Sequence, residues 1–303
     1  MEVKEEIEQF LEKRPNTVCA FGYGSGVFRQ SGYSSSDKPQ IDLILAVEDI
    51  RMWHLENMKK NPGDYSFTGK VFYSNASKNT IKGFNGITYQ SNIKQQVDNE
   101  TQMFKYGVIE VSDLEHQLKS WNRFYLAGRF HKNILKIKCN KNMDELIDQN
   151  RKYALITALY FLPDESTLTE LYEKIVGLSF IGDTRMRFFE NPNKIKNIVS
   201  KAKDEFDTLY AFPNPFFEIV EGERIRINRK EVMSEPLPAY LAYSLTELPK
   251  DDLQKLRDGI ENFLKEKNKC ESTKQTIHGL STNGILRSSN YVFQKFKKRI
   301  YKK

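Results

Sequence analysis

Apolar and polar positions divide the chain into a first part with alternating strands and helices and a second part that is mostly helical. The first part ends near residue 140, and its alternation predicts an α/β core. The predicted elements are a helix over 3–13, strands over 17–23 and 40–47, a helix over 50–61, a strand over 104–111, a helix over 113–126 and a strand over 135–138. The Asn-, Gln- and Lys-rich segment 67–104 has no pattern that places an element.

Helical periodicity dominates from Asn142 onward. Helices are predicted over 150–162, 166–180 and 193–211, followed by a hairpin over 216–227. Helices followed by a hairpin are typical of a winged-helix module. We therefore predict three regions: a core domain over 1–140, a winged-helix-like domain over 141–235 and a helical C-terminal region over 236–303.

The segment Phe21-Gly22-Tyr23-Gly24-Ser25-Gly26-Val27-Phe28 is predicted to be a strand that runs into a glycine-serine turn. Glycine lets the backbone approach a ligand closely and adopt a positive φ without strain. Backbone amides at such a turn, at the start of a helix, form a cradle for phosphate. An ordinary glycine turn before a helix is an equally good interpretation of these residues alone.

Asp42 is the one acidic residue in the apolar run Ile41–Val47. A carboxylate there is costly unless it is paired, holds a metal ion or lies at a strand edge. A Gly-Ser turn followed by a strand Asp is the layout of the nucleotidyltransferase fold of polymerase-β type, in which the turn holds a nucleotide triphosphate and the acid holds Mg²⁺. The second acid usual in that fold is replaced here by Ile44, so a second metal ligand must come from elsewhere.

Two further polar features allow both a structural and a functional interpretation. His54, Asn57 and Asn61 recur every three or four residues and share one helix face, which faces either solvent or a ligand. Gly182 and Asp183 are interpreted from their pattern as the end of one helix and the cap of the next.

The composition of the chain indicates which binding partners and which cellular compartment suit the protein. The 303 residues carry a formal net charge of +7, which favours an anionic partner. The three cysteines form no Cys-x-x-Cys pair, which argues for a reducing compartment and against a structural zinc site. No apolar run approaches the roughly 20 residues of a membrane span, and the acidic N-terminus resembles neither a signal peptide nor a transit peptide.

The chain ends in a basic amphipathic segment. From Arg287 to Lys303 there are seven Lys or Arg residues and no acidic residue. The pattern predicts a helix that binds an anionic membrane surface, with nucleic acid or the protein itself as alternative partners. The predicted membrane-binding residues are Phe293, Phe296, Lys297, Lys298, Arg299 and Ile300.

Taken together, short segments spread over residues 20–190 resemble the mitochondrial-type CDP-diacylglycerol synthases, also called phosphatidate cytidylyltransferases or the mitochondrial translocator assembly and maintenance protein family. The segments, in family order, are Phe21–Phe28 with Gln30, Ile41–Ile44, Trp53-His54 with Asn57 and Asn61, Tyr65-Ser66, Lys105–Val108, Trp121-Asn122, Leu126–Arg129, Gly177–Ser179, Gly182-Asp183 and Arg185-Met186. Gly279–Ser281 with Arg287–Ser289 resembles the C-terminal segment of the family. Asp64 is a departure, because His is expected there before Tyr-Ser.

The resemblance implies a nucleotidyltransferase domain, a winged-helix domain and a Mg²⁺-dependent reaction of CTP with phosphatidic acid that gives CDP-diacylglycerol and pyrophosphate, for phosphatidylglycerol and cardiolipin synthesis. It implies that Asp42 and Asp183 are the catalytic and metal-binding acids. The implied nucleotide-binding residues are Tyr23, Gly24, Ser25, His54, Asn57, Asn61, Tyr65, Ser66 and Lys105. The residues implied for phosphate or the lipid head group are Arg129, Arg185 and Arg287.

The resemblance also implies a peripheral protein at an anionic membrane, with no nucleic-acid partner. The expected location is the cytoplasmic face in a bacterium, or the matrix face of the mitochondrial inner membrane if a presequence is missing. Two alternatives remain open. One is a nucleic-acid-directed nucleotidyltransferase, which shares the Gly-Ser and Asp elements, and the other is a scaffold that binds nucleotide without catalysis.

Overall fold

A computed structural model of the chain describes residues 3–28, 39–97, 100–183, 192–211 and 215–283. The chain divides into two compact units. The first unit comprises residues 1–114, 134–143 and 273–303, and the second comprises residues 115–133 and 144–272. The three regions predicted from the sequence, with boundaries at 140 and 235, remain a prediction.

The part of the chain up to residue 138 contains strands and helices in mixed order. Its elements are α1 (Val3–Glu12), β1 (Cys19–Tyr23), β2 (Ile41–Val47), α2 (Ile50–Lys60), a 3-10 turn (Pro62–Asp64), α3 (Phe67–Asn75), α4 (Lys78–Lys82), β3 (Ile87–Val97), β4 (Glu100–Glu110), α5 (Val111–Ser120), a 3-10 turn (Ala127–Arg129) and β5 (Ile134–Lys138). The five strands form one sheet in the order β3-β4-β2-β1-β5. Strands β2 and β4 are parallel, and the other neighbours are antiparallel.

The apolar run of β2 explains its central place in this sheet. Every residue of β2 is buried except Asp42, which is partly exposed. A strand that is covered on both faces is expected to have a nearly continuous run of apolar residues. Aromatic side chains fill the core of the first unit, where the ring of Phe10 on α1 stacks on Phe104 of β4 with centroids 4.1 Å apart.

The rest of the chain is mostly helical. Its elements are α6 (Lys141–Leu159), β6 (Glu165–Thr167), α7 (Leu168–Leu178), α8 (Lys194–Lys201), α9 (Lys203–Leu209), β7 (Phe217–Glu221), β8 (Arg224–Ile227), α10 (Arg229–Ser234), α11 (Ala239–Ser244) and α12 (Leu253–Asn283). The strands form a small antiparallel sheet in the order β6-β8-β7. Thr167 and Glu170 form a reciprocal capping box at the start of α7, as the predicted cap over 166–170 requires.

Most predicted elements are confirmed, but several boundaries are wrong. The helix predicted over 113–126 ends at Ser120, because Trp121 has a φ of +55°, and the strand predicted over 104–111 begins at Glu100. The helix predicted over 150–162 begins at Lys141, because the Asn140 side chain accepts a hydrogen bond from the Met143 amide and the buried Met143 and Ile147 extend the apolar face. The helix predicted over 193–211 is divided into α8 and α9 at Ala202, whose φ and ψ of −134° and 29° are not helical.

The structure is a mixed α+β fold, as predicted at the level of class. Segment 67–104, which the sequence left without an element, contains α3, α4 and β3 and the first residues of β4. In the part of the chain that the structure describes, no helix combines the length and apolar character that a bilayer crossing demands.

Candidate functional site

The glycine turn is held against the start of β2. Gly24 has a φ of +77°, and its carbonyl oxygen accepts hydrogen bonds from the Val27 and Phe28 amides, both at 3.1 Å. Gly26 packs so closely that a Cβ atom there would lie 2.0 Å from the Gln40 carbonyl oxygen. Gly24 and Ser25 remain exposed. The turn therefore presents two solvent-accessible residues while glycine alone fits its inner side. The helix expected after the turn would lie outside the described residues.

Tyr23, Asp42 and Lys105 form a row across three neighbouring strands. Tyr23 pairs with Asp42 between β1 and β2, and Asp42 pairs with Lys105 between β2 and β4. Residues directly opposite each other on adjacent strands point to the same face of a sheet. The Asp42 carboxylate also lies 3.8 Å from the Cβ position at Gly24. The structure therefore brings together four of the predicted site residues beside the exposed turn.

Asp42 is paired with a cation. Its Oδ1 atom lies 3.6 Å from the Lys105 ammonium, with 29% of the Asp42 side chain and 15% of the Lys105 side chain exposed. The same ammonium lies 4.7 Å from the centroid of the Tyr89 ring. Partial exposure and the ion pair together explain how an apolar strand accommodates this carboxylate.

The surroundings of Asp42 fit a magnesium ion whose remaining ligands come from the substrate and from water. Mg²⁺ is usually bound by one or two carboxylates together with substrate phosphates and water. Asp42 supplies one partly exposed carboxylate next to the exposed Gly24 and Ser25. Among the described residues, no group of three or more His, Cys, Asp or Glu side chains is arranged to hold a metal ion by itself. The donor set is thus suited to a metal that arrives with a phosphate ligand.

The polar stripe of α2 faces the protein interior. His54 and Asn57 are fully buried. The two ring nitrogens of His54 lie 2.9 Å from the Tyr65 hydroxyl and 2.8 Å from the Thr88 hydroxyl. Asn57 donates to the hydroxyls of Tyr65 and Tyr106 at 3.0 and 2.9 Å. Burial, and to a lesser degree the charge of His278, lowers the pKa of His54 to about 3, so this ring is neutral at physiological pH.

A buried ion pair completes this network. The Arg14 guanidinium lies 3.1 Å from the Asp64 carboxylate, and both side chains are buried. The Tyr106 hydroxyl donates to the same carboxylate at 2.8 Å, while Asn61 donates to the Asn57 side chain at 2.8 Å. Asp64, which departs from the resemblance, therefore anchors the network with a charge that Arg14 compensates.

The network and the Asp42 row lie on opposite faces of β4. Tyr106 directly follows Lys105, and successive side chains of a strand point to opposite faces. Ser66 has a local role, since its hydroxyl accepts a hydrogen bond from the Gly69 amide at 3.0 Å and caps α3. Direct contact of His54, Asn57, Asn61, Tyr65 and Ser66 with a nucleotide stays a prediction.

Asp183 lies in the second unit, just after the turn that follows α7, and α12 forms hydrogen bonds with this turn. Asn268 donates to the Leu178 and Ile181 carbonyls at 2.9 and 2.8 Å. Gly182 has a φ of +77°, and a Cβ atom there would lie 2.7 Å from the Lys265 backbone. Asp183 is buried, and its amide donates to the Phe180 carbonyl at 3.2 Å. The helix before Gly182 ends at Leu178, earlier than predicted, with Ser179 as its C-cap, and Gly182 lies in the turn that follows. The helix that Asp183 was predicted to cap would lie outside the described residues. Asp42 and Asp183 belong to different units.

Two other predicted motifs meet in the second unit. A Cβ atom on Gly128 would lie 2.7 Å from the Ser179 Cβ atom, so the segments Leu126–Arg129 and Gly177–Ser179 are in contact. Arg129 donates to the Tyr125 hydroxyl at 2.9 Å. The remaining predicted site residues lie outside the described residues, namely Arg185, Arg287, Phe293, Phe296, Lys297, Lys298, Arg299 and Ile300.

Sequence comparisons identify the family to which the chain is similar. The family described as "Phosphatidate cytidylyltransferase, mitochondrial" matches residues 7–251. A protein of that name from Schizosaccharomyces pombe is 32% identical over 346 aligned positions, which cover 99% of this chain and 86% of the relative. The zebrafish (Danio rerio) relative is 31% identical, covering 92% and 89%, and the Dictyostelium discoideum relative is 37% identical, covering 70% and 53%. Both carry the same name.

Proposed function

This chain belongs to the mitochondrial-type phosphatidate cytidylyltransferase family, and we propose that it transfers CMP from CTP to phosphatidic acid, giving CDP-diacylglycerol and pyrophosphate. The observation that carries the proposal is the exposed Gly24–Ser25 turn beside the Asp42–Lys105 pair. A turn of this kind suits a triphosphate, and the pair supplies a carboxylate and a cation next to it.

The reaction is a substitution at the α-phosphorus of CTP. A phosphate oxygen of phosphatidic acid forms a new bond to that phosphorus, the bond to the β-phosphate oxygen breaks, and pyrophosphate leaves with the electron pair. Such transfers depend mainly on positioning and on neutralising charge. Gly24 and Ser25 bind the β- and γ-phosphates through their amides, Tyr23 borders the same site, and Lys105 binds a phosphate oxygen.

Asp42 holds Mg²⁺ in this proposal. When bound, the ion neutralises triphosphate charge and stabilises the leaving pyrophosphate. Lys105 compensates the Asp42 carboxylate in the free protein, 3.6 Å away. Asp183 serves as the second acid, as a metal ligand or a base, and Arg129, Arg185 and Arg287 serve phosphate or the lipid head group.

The buried network has a positioning role in this proposal. Tyr106 joins β4 to Asn57 on α2 and to Asp64, and it is the chain neighbour of Lys105. The network therefore fixes the strand that carries Lys105 from the opposite face of the sheet. The other polar residues of this region contribute to the nucleotide site either through this positioning or through direct contact with the nucleotide; they are His54, Asn57, Asn61, Tyr65 and Ser66. Substitutions that weaken CTP binding without lowering the free energy of unfolding would distinguish these roles from a purely structural one.

The order of the elements supports a proposed fold type for each of two parts of the chain. We propose a core of the polymerase-β nucleotidyltransferase type, supported by the strand that leads through a Gly-Ser turn to the Asp42 strand. We propose a winged-helix domain in the second unit, supported by the order α6, β6, α7, α8–α9 and hairpin β7–β8. In this arrangement the β6-β8-β7 sheet forms the wing.

The location is proposed from the substrate and from the relatives. Phosphatidic acid lies in a bilayer, so we propose that the basic C-terminal segment holds the protein at an anionic membrane surface. The relatives carry the word mitochondrial in their names. Of the two predicted locations we therefore propose the mitochondrial one, peripheral on the matrix face of the inner membrane.

An acceptor assay tests the proposed function. Purified protein is incubated with α-labelled CTP and Mg²⁺, and either phosphatidate vesicles or tRNA is added. Label in a chloroform-soluble product that forms only with phosphatidate is the expected result. Label in tRNA supports the nucleic-acid-directed alternative, which the element order of the second unit also suits. Absence of pyrophosphate release with either acceptor supports a nucleotide-binding scaffold.

A further inference from the structure

The ring of Tyr89 on β3 lies over the ammonium of Lys105, a contact to which the assignments above give no role. The ring is only 5% exposed, and its centroid is 4.7 Å from the Lys105 Nζ atom. Tyr89 is the register partner of Gly107, which lies two residues after Lys105 on β4. Residues two apart on a strand share a face, so Tyr89 lies diagonally across from Lys105, on the face that carries the Asp42 carboxylate.

Glycine at position 107 makes room for this ring. A Cβ atom at Gly107 would lie 2.6 Å from the Cε1 atom of Tyr89 and 2.6 Å from the Cδ1 atom of Ile87. A side chain at this position would therefore push the ring away from its place over β4. Tyr89 reaches Lys105 because its own register partner has no side chain.

A bulge in β3 lies opposite Lys105. The register of β3 with β4 shifts by one residue after Gln90, so that Ser91 and Asn92 both lie opposite Lys105. Asn92 has a φ of +59°, a left-handed conformation that asparagine adopts more readily than most residues. Bulges of this kind bend a strand and change the direction of nearby side chains, and they are over-represented next to active sites. The surroundings of Lys105 on β3 therefore differ from those of a regular strand pair.

The ring restricts a long and flexible side chain without cancelling its charge. A lysine ammonium is carried on a flexible four-carbon stem, and in Lys105 it lies 3.6 Å from the Asp42 carboxylate. A cation over an aromatic ring is attracted by the quadrupole of the ring, and more strongly where water is excluded. Because the ring of Tyr89 is neutral, the ammonium keeps its full charge for a phosphate oxygen, whereas a second carboxylate would compensate that charge.

We propose that Tyr89 is a positioning residue for the transfer reaction. Its ring, for which Gly107 leaves room, holds the Lys105 ammonium in the place where that group binds a phosphate oxygen of CTP. This inference rests on the proposed function, and it adds to the nucleotide site a residue that acts through Lys105.

Single substitutions test whether the ring is required. Calorimetric titration with CTP and Mg²⁺, without phosphatidate, measures binding in the absence of transfer. Tyr89→Leu should weaken CTP binding about five- to thirtyfold, the range for a partly desolvated cation–π contact. Tyr89→Phe keeps the ring and should stay within about twofold of the parent. Equal weakening by these two variants would contradict the proposed role of the ring.

The control is Tyr160→Leu, which removes a ring of similar burial just after α6 in the second unit. This variant should bind CTP as the parent does, although it also loses a buried ring. Weakening of CTP binding by the control as large as that by Tyr89→Leu would show that loss of any buried ring has this effect, and would overturn the proposal.

A double-mutant cycle with Lys105→Met separates positioning from a purely structural role. If Tyr89 acts through the Lys105 ammonium, Tyr89→Leu should change CTP affinity by less than about twofold once that ammonium is removed. A five- to thirtyfold effect that persists in the Lys105→Met background would overturn the proposal. If Tyr89→Leu does not fold, Gly107→Ala takes its place in the cycle, because it keeps the tyrosine and displaces its ring.

The same measurements distinguish this inference from the proposed function. If the parent binds CTP with this coupling but transfers nothing to phosphatidate, the proposed function fails and the positioning role in CTP binding stands. If the parent is an active transferase and the cycle shows no coupling, the positioning role fails and the proposed function stands. Absence of CTP binding by the parent would overturn both.

Discussion

The Asp42 carboxylate lies 3.6 Å from the Lys105 ammonium because these residues are register partners on the parallel strands β2 and β4. Neither residue is close to the other in sequence, and each comes from an apolar strand. Their pairing gives β2 a compensated carboxylate beside the exposed Gly24–Ser25 turn. The proposed catalytic site therefore depends on the strand order of the sheet as much as on the turn motif.

Removal of the Lys105 charge should impair catalysis strongly. Lys105→Met removes a cation assigned to a phosphate oxygen, and loss of one such group typically lowers kcat by about 10²–10³-fold. Steady-state kinetics with CTP and phosphatidate measure the effect, and Lys105→Arg should retain more activity than Lys105→Met. Lys94→Met, which changes an exposed lysine on β3, is the matched control. Parental kcat in Lys105→Met would exclude a catalytic role for this cation.

A methyl group at Gly26 should displace the Gly24–Ser25 turn. Its Cβ atom would lie 2.0 Å from the Gln40 carbonyl oxygen, a backbone atom that cannot rotate away. Gly26→Ala is therefore expected to cost about 1–3 kcal/mol of stability and to weaken CTP binding. Gly63→Ala is the control, because its Cβ position has no atom within 4 Å. Equal melting temperatures and equal CTP affinities for the two variants would show that the turn is not fixed as described.

The local sequence pattern was sufficient to predict the Gly24–Ser25 turn, strand β2 and the hairpin β7–β8. Each depends on neighbours in the chain: glycines that fit a close approach, a continuous apolar run and alternation around Glu221-Gly222-Glu223. The partner of Asp42 was beyond such a pattern, because the parallel pairing of β2 with β4 joins segments some sixty positions apart. Lys105 was named from a resemblance and not from its contact.

Two other features could not be predicted from the sequence, for physical reasons. The polar face of α2 is buried because Tyr65, Thr88 and Tyr106, from three other segments, satisfy its hydrogen bonds. Strand β3 was missed because its alternation is broken at Asn92, where φ is +59° and the register with β4 shifts. Both depend on long-range partners, which a pattern within one window does not contain.

Acid should destabilise the protein through His54. Its folded-state pKa of about 3 lies below the ordinary 6.5. The stabilisation is therefore fully present above pH 6.5 and is lost as pH falls toward 3, at about 1.4 kcal/mol per pH unit for one histidine. His54→Gln should be less stable at pH 7 but should lose less stability between pH 6.5 and 5, as measured by urea unfolding.

The control for this measurement is His116→Gln, which changes an exposed histidine on α5. His131 is also buried with a pKa of about 3 and contributes its own slope in every variant. The difference in slope between the parent and His54→Gln is therefore the informative quantity. Identical slopes in these two proteins would mean that His54 is not held neutral by the folded state.

Deletion of residues 290–303 should weaken binding to anionic vesicles. The segment carries six Lys or Arg residues, and each contributes about 1 kcal/mol near an anionic surface. Burial of Phe293, Phe296 and Ile300 adds about 1.5–3 kcal/mol each. Co-sedimentation with vesicles should fall by orders of magnitude, while activity on a short-chain, water-soluble phosphatidate should change little. Parental co-sedimentation of the shortened protein would locate the membrane anchor elsewhere.

Pyrophosphate release by Asp42→Asn is the most direct test of the account. Asparagine keeps the size and the polarity of the side chain and removes only the charge that pairs with Lys105 and that we propose binds the metal. With CTP, Mg²⁺ and phosphatidate vesicles, the parent should release one pyrophosphate for each CDP-diacylglycerol formed. The variant should release it at least about 10³-fold more slowly, with a circular dichroism spectrum like that of the parent. Release within about threefold of the parental rate, a difference of roughly 0.7 kcal/mol in the barrier, would contradict the assignment of Asp42 as the catalytic acid.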